Sequence, residues 1–156
     1  MKKRFLSLLL VLVLIMSLMP AALAVNADDA QPKTISVTFR LHTDTDEWIA
    51  PTEVSDLPEG TSVFTVFQKV LADKGYTYEY HEQYCYVQAI TAPDGTRLAE
   101  FSKGKNSGWL FRVNNDFADV GMNDFVLMDG DEIEVLYTAD YAKEPGMSLP
   151  YTDVSW

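Results

Sequence analysis

The stretch from Ser107 to Tyr137 limits the possible folds more than any other. It opens with Gly108-Trp109-Leu110-Phe111-Arg112-Val113-Asn114-Asn115 and closes with Glu132-Ile133-Glu134-Val135-Leu136-Tyr137. Side chains alternate across a strand, so Trp109, Phe111 and Val113 share one face, as do Ile133, Val135 and Tyr137. Between them lie a polar and aromatic connection through Gly121, the apolar run Phe125 to Met128, and Asp129-Gly130-Asp131. Asp-Gly is a short-range turn signal, because Gly accepts positive φ and Asp bonds its own backbone. The expectation is a strand, an irregular crossing, and two short strands joined at Asp129-Gly130.

A helix and further strands precede this stretch. Ile35, Val37, Phe39 and Leu41 alternate with Ser36, Thr38, Arg40 and His42, which is the pattern of a half-buried strand. Val63, Val66, Phe67, Val70 and Leu71 fall at helical spacing after Thr61-Ser62, and Gly75 is a natural stop after Lys74. The spacing predicts a helix over Val63–Lys74 whose apolar stripe packs on a sheet. Tyr76, Tyr78 and Tyr80 then alternate with polar residues, and a turn near Glu82-Gln83 leads to Tyr84 through Ile90. Cys85, Val87 and Ala89 form the small apolar face there, so Cys85 reads as a buried spacer. The tyrosines suit a half-buried edge, with a stacking platform as the alternative. Pro93-Asp94-Gly95-Thr96 is a turn before Leu98 and Phe101, and Ser102 to Ser107 is a loop carrying Lys103 and Lys105.

Thr43 to Gly60 reads as a loop, with Pro51 and Pro58 inside it. Asp44, Asp46 and Glu47 approach the start of a calcium loop, but Trp48 and Ile49 stand where a third ligand and a glycine belong. A solvated acidic turn is the reading, with a looser calcium site as the alternative. Trp48 is either a lid over the core or an exposed stacking surface.

Lys2, Lys3 and Arg4 precede an apolar run from Leu8 to Met16, and Pro20 and Ala22-Leu23-Ala24 follow. That is the pattern of a secretory signal peptide over 1–24, cleaved after Ala24. The run is short of the ~20 apolar residues of a spanning helix. A flexible leader over 25–34, a folded domain over 35–141 and a tail over 142–156 are expected. The mature chain is then secreted, with no membrane span. Leu149-Pro150-Tyr151-Thr152-Asp153 approaches a sortase signal but ends in Asp. Twelve basic residues face 23 acidic ones; without Lys2, Lys3 and Arg4 nine remain, for a net charge of −14. Such a chain repels polyanions, which argues against nucleic acid as a partner.

Catalytic signatures are missing. An enzyme needs a positioned base or nucleophile, and the histidines here are only His42 and His81. His81 and Cys85 lie ~13 Å apart along extended chain. The sequence has no zinc spacing, phosphate-binding glycine loop or nucleophile elbow. The chain reads as a non-enzyme without a cofactor, with a hydrolase that depends on His81 or Cys85 as the last-ranked alternative.

The Gly108–Tyr137 pattern (Gly-Trp, an aromatic two residues on, Val-Asn, a loop with Gly, then Leu-x-Asp-Gly-Asp before an alternating strand) resembles the C-terminal domain of transcobalamin. It also resembles the bacterial secreted domains of unknown function named for that likeness. The similarity runs over roughly Ile35 to Tyr141. It implies an α+β fold: a small β-grasp-like domain with a mixed sheet of about five strands and one packed helix. It also implies binding of a small ligand, a corrinoid or a glycan, with an extracellular protein partner as the alternative. The matching positions Gly108, Trp109, Phe111, Val113, Asp129, Gly130 and Asp131 are structural, with Trp109 and Phe111 expected under the helix. The candidate contacts are Asn114, Asn115, Asp116 and Phe117, together with Trp48. Asn both donates and accepts, which suits a ligand edge; an Asn pair after a strand is equally an ordinary turn. The helical half that faces the β domain in transcobalamin-like proteins has no counterpart in this sequence.

Overall fold

The computed structural model describes residues 33–82 and 86–146. The expected signal peptide, most of the leader, Cys85 and the tail beyond Gly146 lie outside the described residues.

The first strand, β1 (Thr34–Thr43), buries Ile35, Val37, Phe39 and Leu41, as its alternation dictates. The segment expected to be a loop is instead a second strand, β2 (Glu47–Pro58), paired antiparallel with β1. The β1–β2 register slips between Ile35 and Val37 and again between Phe39 and Leu41. Each irregularity shifts which residues face inward. The buried residues of β2 are therefore the unevenly spaced Ile49, Val54 and Leu57, and no period-2 signal survives. Asp56 takes a positive φ of 58° within this strand. Pro51 is tolerated because β2 is an edge strand.

Helix α1 (Val63–Lys74) matches expectation and buries Val63, Val66, Phe67, Val70 and Leu71. The Ser62 hydroxyl accepts from the Thr65 N–H at 3.3 Å, an N-cap. At the other end Gly75 adopts φ 78°, its N–H reaching Ala72 O and that of Tyr76 reaching Leu71 O. That is a Schellman cap, and the left-handed position explains the glycine.

Three short strands, β3 (Thr77–His81), β4 (Tyr86–Thr91) and β5 (Arg97–Ala99), form a small antiparallel sheet. The main sheet gains β6 (Gly108–Val113), β7 (Asp116–Phe117) and β8 (Glu132–Thr138), and its order is β2-β1-β8-β6-β7. β1 and β8 run parallel and the other pairs antiparallel, so the fold is α+β with a mixed five-stranded sheet.

Phe125 to Met128 is not a strand, and Asp129-Gly130 is not a hairpin turn. The run makes one bridge, Val126 to Ser62, and serves the helix. Phe125 O and Met122 O accept from the N–H groups of Val63 and Phe64, each at 3.0 Å. Those are first-turn donors with no partner inside the helix. The Asp-Gly turn fastens β1: Asp129 Oδ1 accepts from Ser36 N–H, and Gly130 N–H donates to Ser36 O, both at 2.8 Å.

One apolar cluster joins both sheets to the helix. Phe67 meets Phe39 from the main sheet (centroids 6.5 Å apart) and Tyr78 from the small one (5.1 Å). Burying such a side chain contributes about 1.5–3 kcal/mol. Trp109 Nε1 donates to Leu98 O at 3.0 Å and the Tyr137 hydroxyl to Ala99 O at 2.8 Å, so β5 hangs from the main sheet. Trp109 is buried and packs edge-on against Trp48 and Tyr137, while Phe111 is half-buried against Phe125.

Candidate functional site

The face of the main sheet away from this core is polar, and cross-strand pairing orders it into rows. Phe117 on β7 stands opposite Arg112 on β6, Arg112 opposite Glu134 on β8, and Glu134 opposite Arg40 on β1. Aromatic, cation, anion and cation thus lie side by side across four strands. The Arg112 guanidinium sits 5.7 Å from the Phe117 ring centroid, a cation–π contact. Arg112 Nε donates to Glu134 Oε2, His42 Nε2 is 2.7 Å from Glu134 Oε1, and Arg40 is 3.5 Å from the same oxygen. Arg40 also donates to Glu47 Oε1 at 2.6 Å.

Burial alone would push the Glu134 carboxyl upward; the bonds from Arg112 and His42 outweigh it and hold the carboxyl below its ordinary range. The bond to Glu134 in turn raises the Arg112 guanidinium against its own desolvation. A carboxylate held ionised, with both oxygens engaged by three bases, is a fixed anion and a poor proton acceptor.

Beside this row is a groove of about 210 Å3 lined by Thr38, Arg40, Pro51, Asn115, Glu132, Ile133 and Glu134. It brings together β1, β2, β8 and the β6–β7 turn. Of the sequence candidates, Asn115 lines it. Asn114 and Asn115 both have positive φ, 53° and 69°, and form the two-residue turn between β6 and β7. That is a type I′ hairpin, in which Asn is favoured. Asn114 is consumed by the fold: its Nδ2 donates to Asp131 Oδ1 at 2.8 Å, and its Oδ1 accepts from Glu132 N–H at 3.0 Å. Asp116 is exposed on β7, and Phe117 covers Arg112.

Trp48 lies elsewhere, half-buried between Tyr76 (6.0 Å) and Trp109 (5.6 Å). It covers the core on one side and borders a second groove on the other. In the acidic turn the carboxylates are already engaged: Asp44 Oδ2 accepts from Ala139 N–H, Asp46 from the Thr45 hydroxyl, and Glu47 from Arg40. Among the described residues no group of three or more His, Cys, Asp or Glu is placed to hold a metal ion. Lys103 lies 6.0 Å from the Tyr137 ring centroid. Tyr78 and Tyr80 pack on Phe64, and Tyr76 on Trp48, so these tyrosines are half-buried core edges. Among the described residues no helix is long and apolar enough to cross a membrane.

Sequence reasoning missed Arg40, Thr38, Glu134 and Arg112 as neighbours. The signal available was a charged residue on the polar face of each of three strands; the pairing that unites them was not.

Among solved structures the chain is similar to haptocorrin, described in complex with Cbi, at 20% identity and a TM-score of 0.51 over 69% of this chain. The chain spans about 25% of that protein's length, and the likeness is one of fold. A protein from Ruminococcus gnavus ATCC 29149 whose description suggests metal binding aligns over 67% of this chain and 95% of its own, at 20% identity and a TM-score of 0.42. No curated protein matches the chain in sequence. Residues 60–139, just over half of the chain, match the model of the domain of unknown function DUF4430, and the chain belongs to that family.

Proposed function

We propose that this chain is a secreted, non-catalytic binding module that grips one edge of a small ligand in the groove beside Asn115. The observation that carries this reading is the convergence of Thr38 and Arg40 from β1, Glu134 from β8 and Asn115 from the β6–β7 turn onto one concavity. The amide and hydroxyl donate and accept, and Arg40 offsets one of the two lining carboxylates, Glu132 and Glu134, which fits an uncharged ligand rimmed with amides or hydroxyls. Asn114, Asp116 and Phe117 set the hairpin that presents Asn115. The fold likeness to haptocorrin and the resemblance to the transcobalamin C-terminal domain support a corrinoid as the first ligand to test. Pockets that enclose a drug-sized ligand run to roughly 300–1,000 Å3. At about 210 Å3 this groove holds part of one, and a second surface covers the rest.

Calorimetric titration of the full chain with cobalamin is the test. Saturable heat that Arg40→Ala or Asn115→Ala weakens at least tenfold supports the reading; no heat, or equal heat from both variants, sinks it. A second reading, a protein-contact module, rests on Val126 and Met128, which are 57% and 74% exposed on either side of buried Leu127. A stable dimer in sedimentation velocity that Met128→Asp dissociates, with no response to cobalamin, favours that reading.

A further inference from the structure

A second groove, of about 310 Å3, lies where β2 passes the end of α1, and no part of the proposed function uses it. Trp48, Ile49, Ala50 and Thr52 form one wall, and Lys74, Tyr76 and Pro93 the other. Its two large rings are fixed. The Tyr76 hydroxyl donates to Trp48 O at 2.7 Å, the ring centroids are 6.0 Å apart with planes inclined by 32°, and Trp48 rests edge-on against buried Trp109. Tyr76 is also the second residue of the Schellman cap, its N–H held by Leu71 O at 2.9 Å. A ligand meeting these rings has little side-chain freedom to freeze out, which lowers the cost of docking.

The rim is polar. Lys74 makes no ion pair among the described residues, whereas Lys33, Lys69 and Lys143 each do. Asp94, beside Pro93 in the turn, keeps Oδ1 on Thr96 N–H at 2.8 Å. The Tyr76 hydroxyl is raised first by burial and second by the charge of Asp94. Lys74 thus brings an ammonium donor to the aromatic walls, and Asp94 follows the wall residue Pro93 in the chain.

We propose that this groove is a carbohydrate site that stacks one neutral pyranose ring on Trp48 and Tyr76, with Lys74 and Asp94 bonding its hydroxyls. A pyranose with equatorial hydroxyls has flat C–H faces and a polar edge. Its C–H face meets the negative face of an aromatic ring, and its edge needs donors and acceptors at the perimeter. The opposed rim charges favour an uncharged sugar: a uronate gains Lys74 but meets Asp94. The wall residues Ile49 and Ala50 hold no charge, which suits the apolar face of a sugar.

The test is a titration of the 15N-labelled full chain with cellotetraose and, separately, chitotetraose to about 10 mM, high enough to saturate a site with a Kd of about 1 mM. The expected result is movement of the Trp48 indole N–H peak with that of Trp109, bonded to Leu98 O, left in place. Lys74→Ala, an exposed change, weakens binding about threefold to tenfold with the spectrum otherwise native. Trp48→Ala abolishes it, and Trp48→Phe, which keeps a ring over Trp109, retains part of it. No peak movement with either sugar, movement confined to Thr38, Arg40 and Asn115, or an unchanged affinity in Lys74→Ala would overturn the proposal. Arg40→Ala leaves this titration unchanged while removing the cobalamin response, so the two sites fail separately.

Discussion

Glu134 is the residue on which the polar sheet face turns. Three bases converge on it, and it is only 15% exposed. Replacing it by Gln removes the charge and leaves Arg112 and His42 facing an amide, so Glu134→Gln should cost about 1–3 kcal/mol in urea unfolding. The sign of the pH effect follows from its folded pKa, which is depressed. The associated stability is present above the unfolded value of about 4.3 and disappears as pH falls through the folded one. Wild type should therefore lose more stability than Glu134→Gln between about pH 5 and pH 3, as measured by thermal melts. Asn114 makes a different prediction. Its amide bonds both Asp131 and Glu132 at positive φ, so Asn114→Ala should cost about 1–2 kcal/mol. Asn115→Gly keeps the turn, whose φ glycine accepts, and should leave stability within about 0.5 kcal/mol.

At the scale of elements, the sequence announced β1 and α1 because each has one unbroken period. It concealed β2, where Pro51 and the slipped register scramble the alternation, and it misrepresented Phe125 to Met128, whose apolar run looks like a strand but docks on the helix N-terminus. The I′ turn was half legible: an Asn pair after a strand allowed either a turn or a contact, and the geometry assigns Asn114 to the turn and gives Asn115 a place in the groove. Rows that cross strands distant in sequence were not legible at all, because register between β1 and β8 depends on everything between them. β2 also shows how an edge is kept from pairing. Trp48 O is occupied by the Tyr76 hydroxyl, Ala50 O by the Thr52 hydroxyl at 2.8 Å, and Pro51 has no N–H to offer. Pro51→Val with Thr52→Val should free that edge, and light scattering on incubation at 37 °C should rise relative to wild type.

Across the whole molecule, α1 is the only described α-helix, and its Phe67 touches both sheets. Phe67→Ala should cost about 3–5 kcal/mol, with far-UV and near-UV transitions that still coincide, because no separate core exists for the small sheet to keep. A melt in which the small sheet outlasts the main one would contradict this. The parallel pairing of β1 with β8 also imposes an order in time. The strand at the head of the folded part waits for a neighbour made some ninety residues later, as Thr38 does for Glu132, and closing so long a loop delays assembly. A nascent chain stalled between Ala99 and Glu132 therefore carries every strand of the small sheet but a main sheet that lacks its central β8. The main sheet becomes resistant to protease only once β8 has left the ribosome.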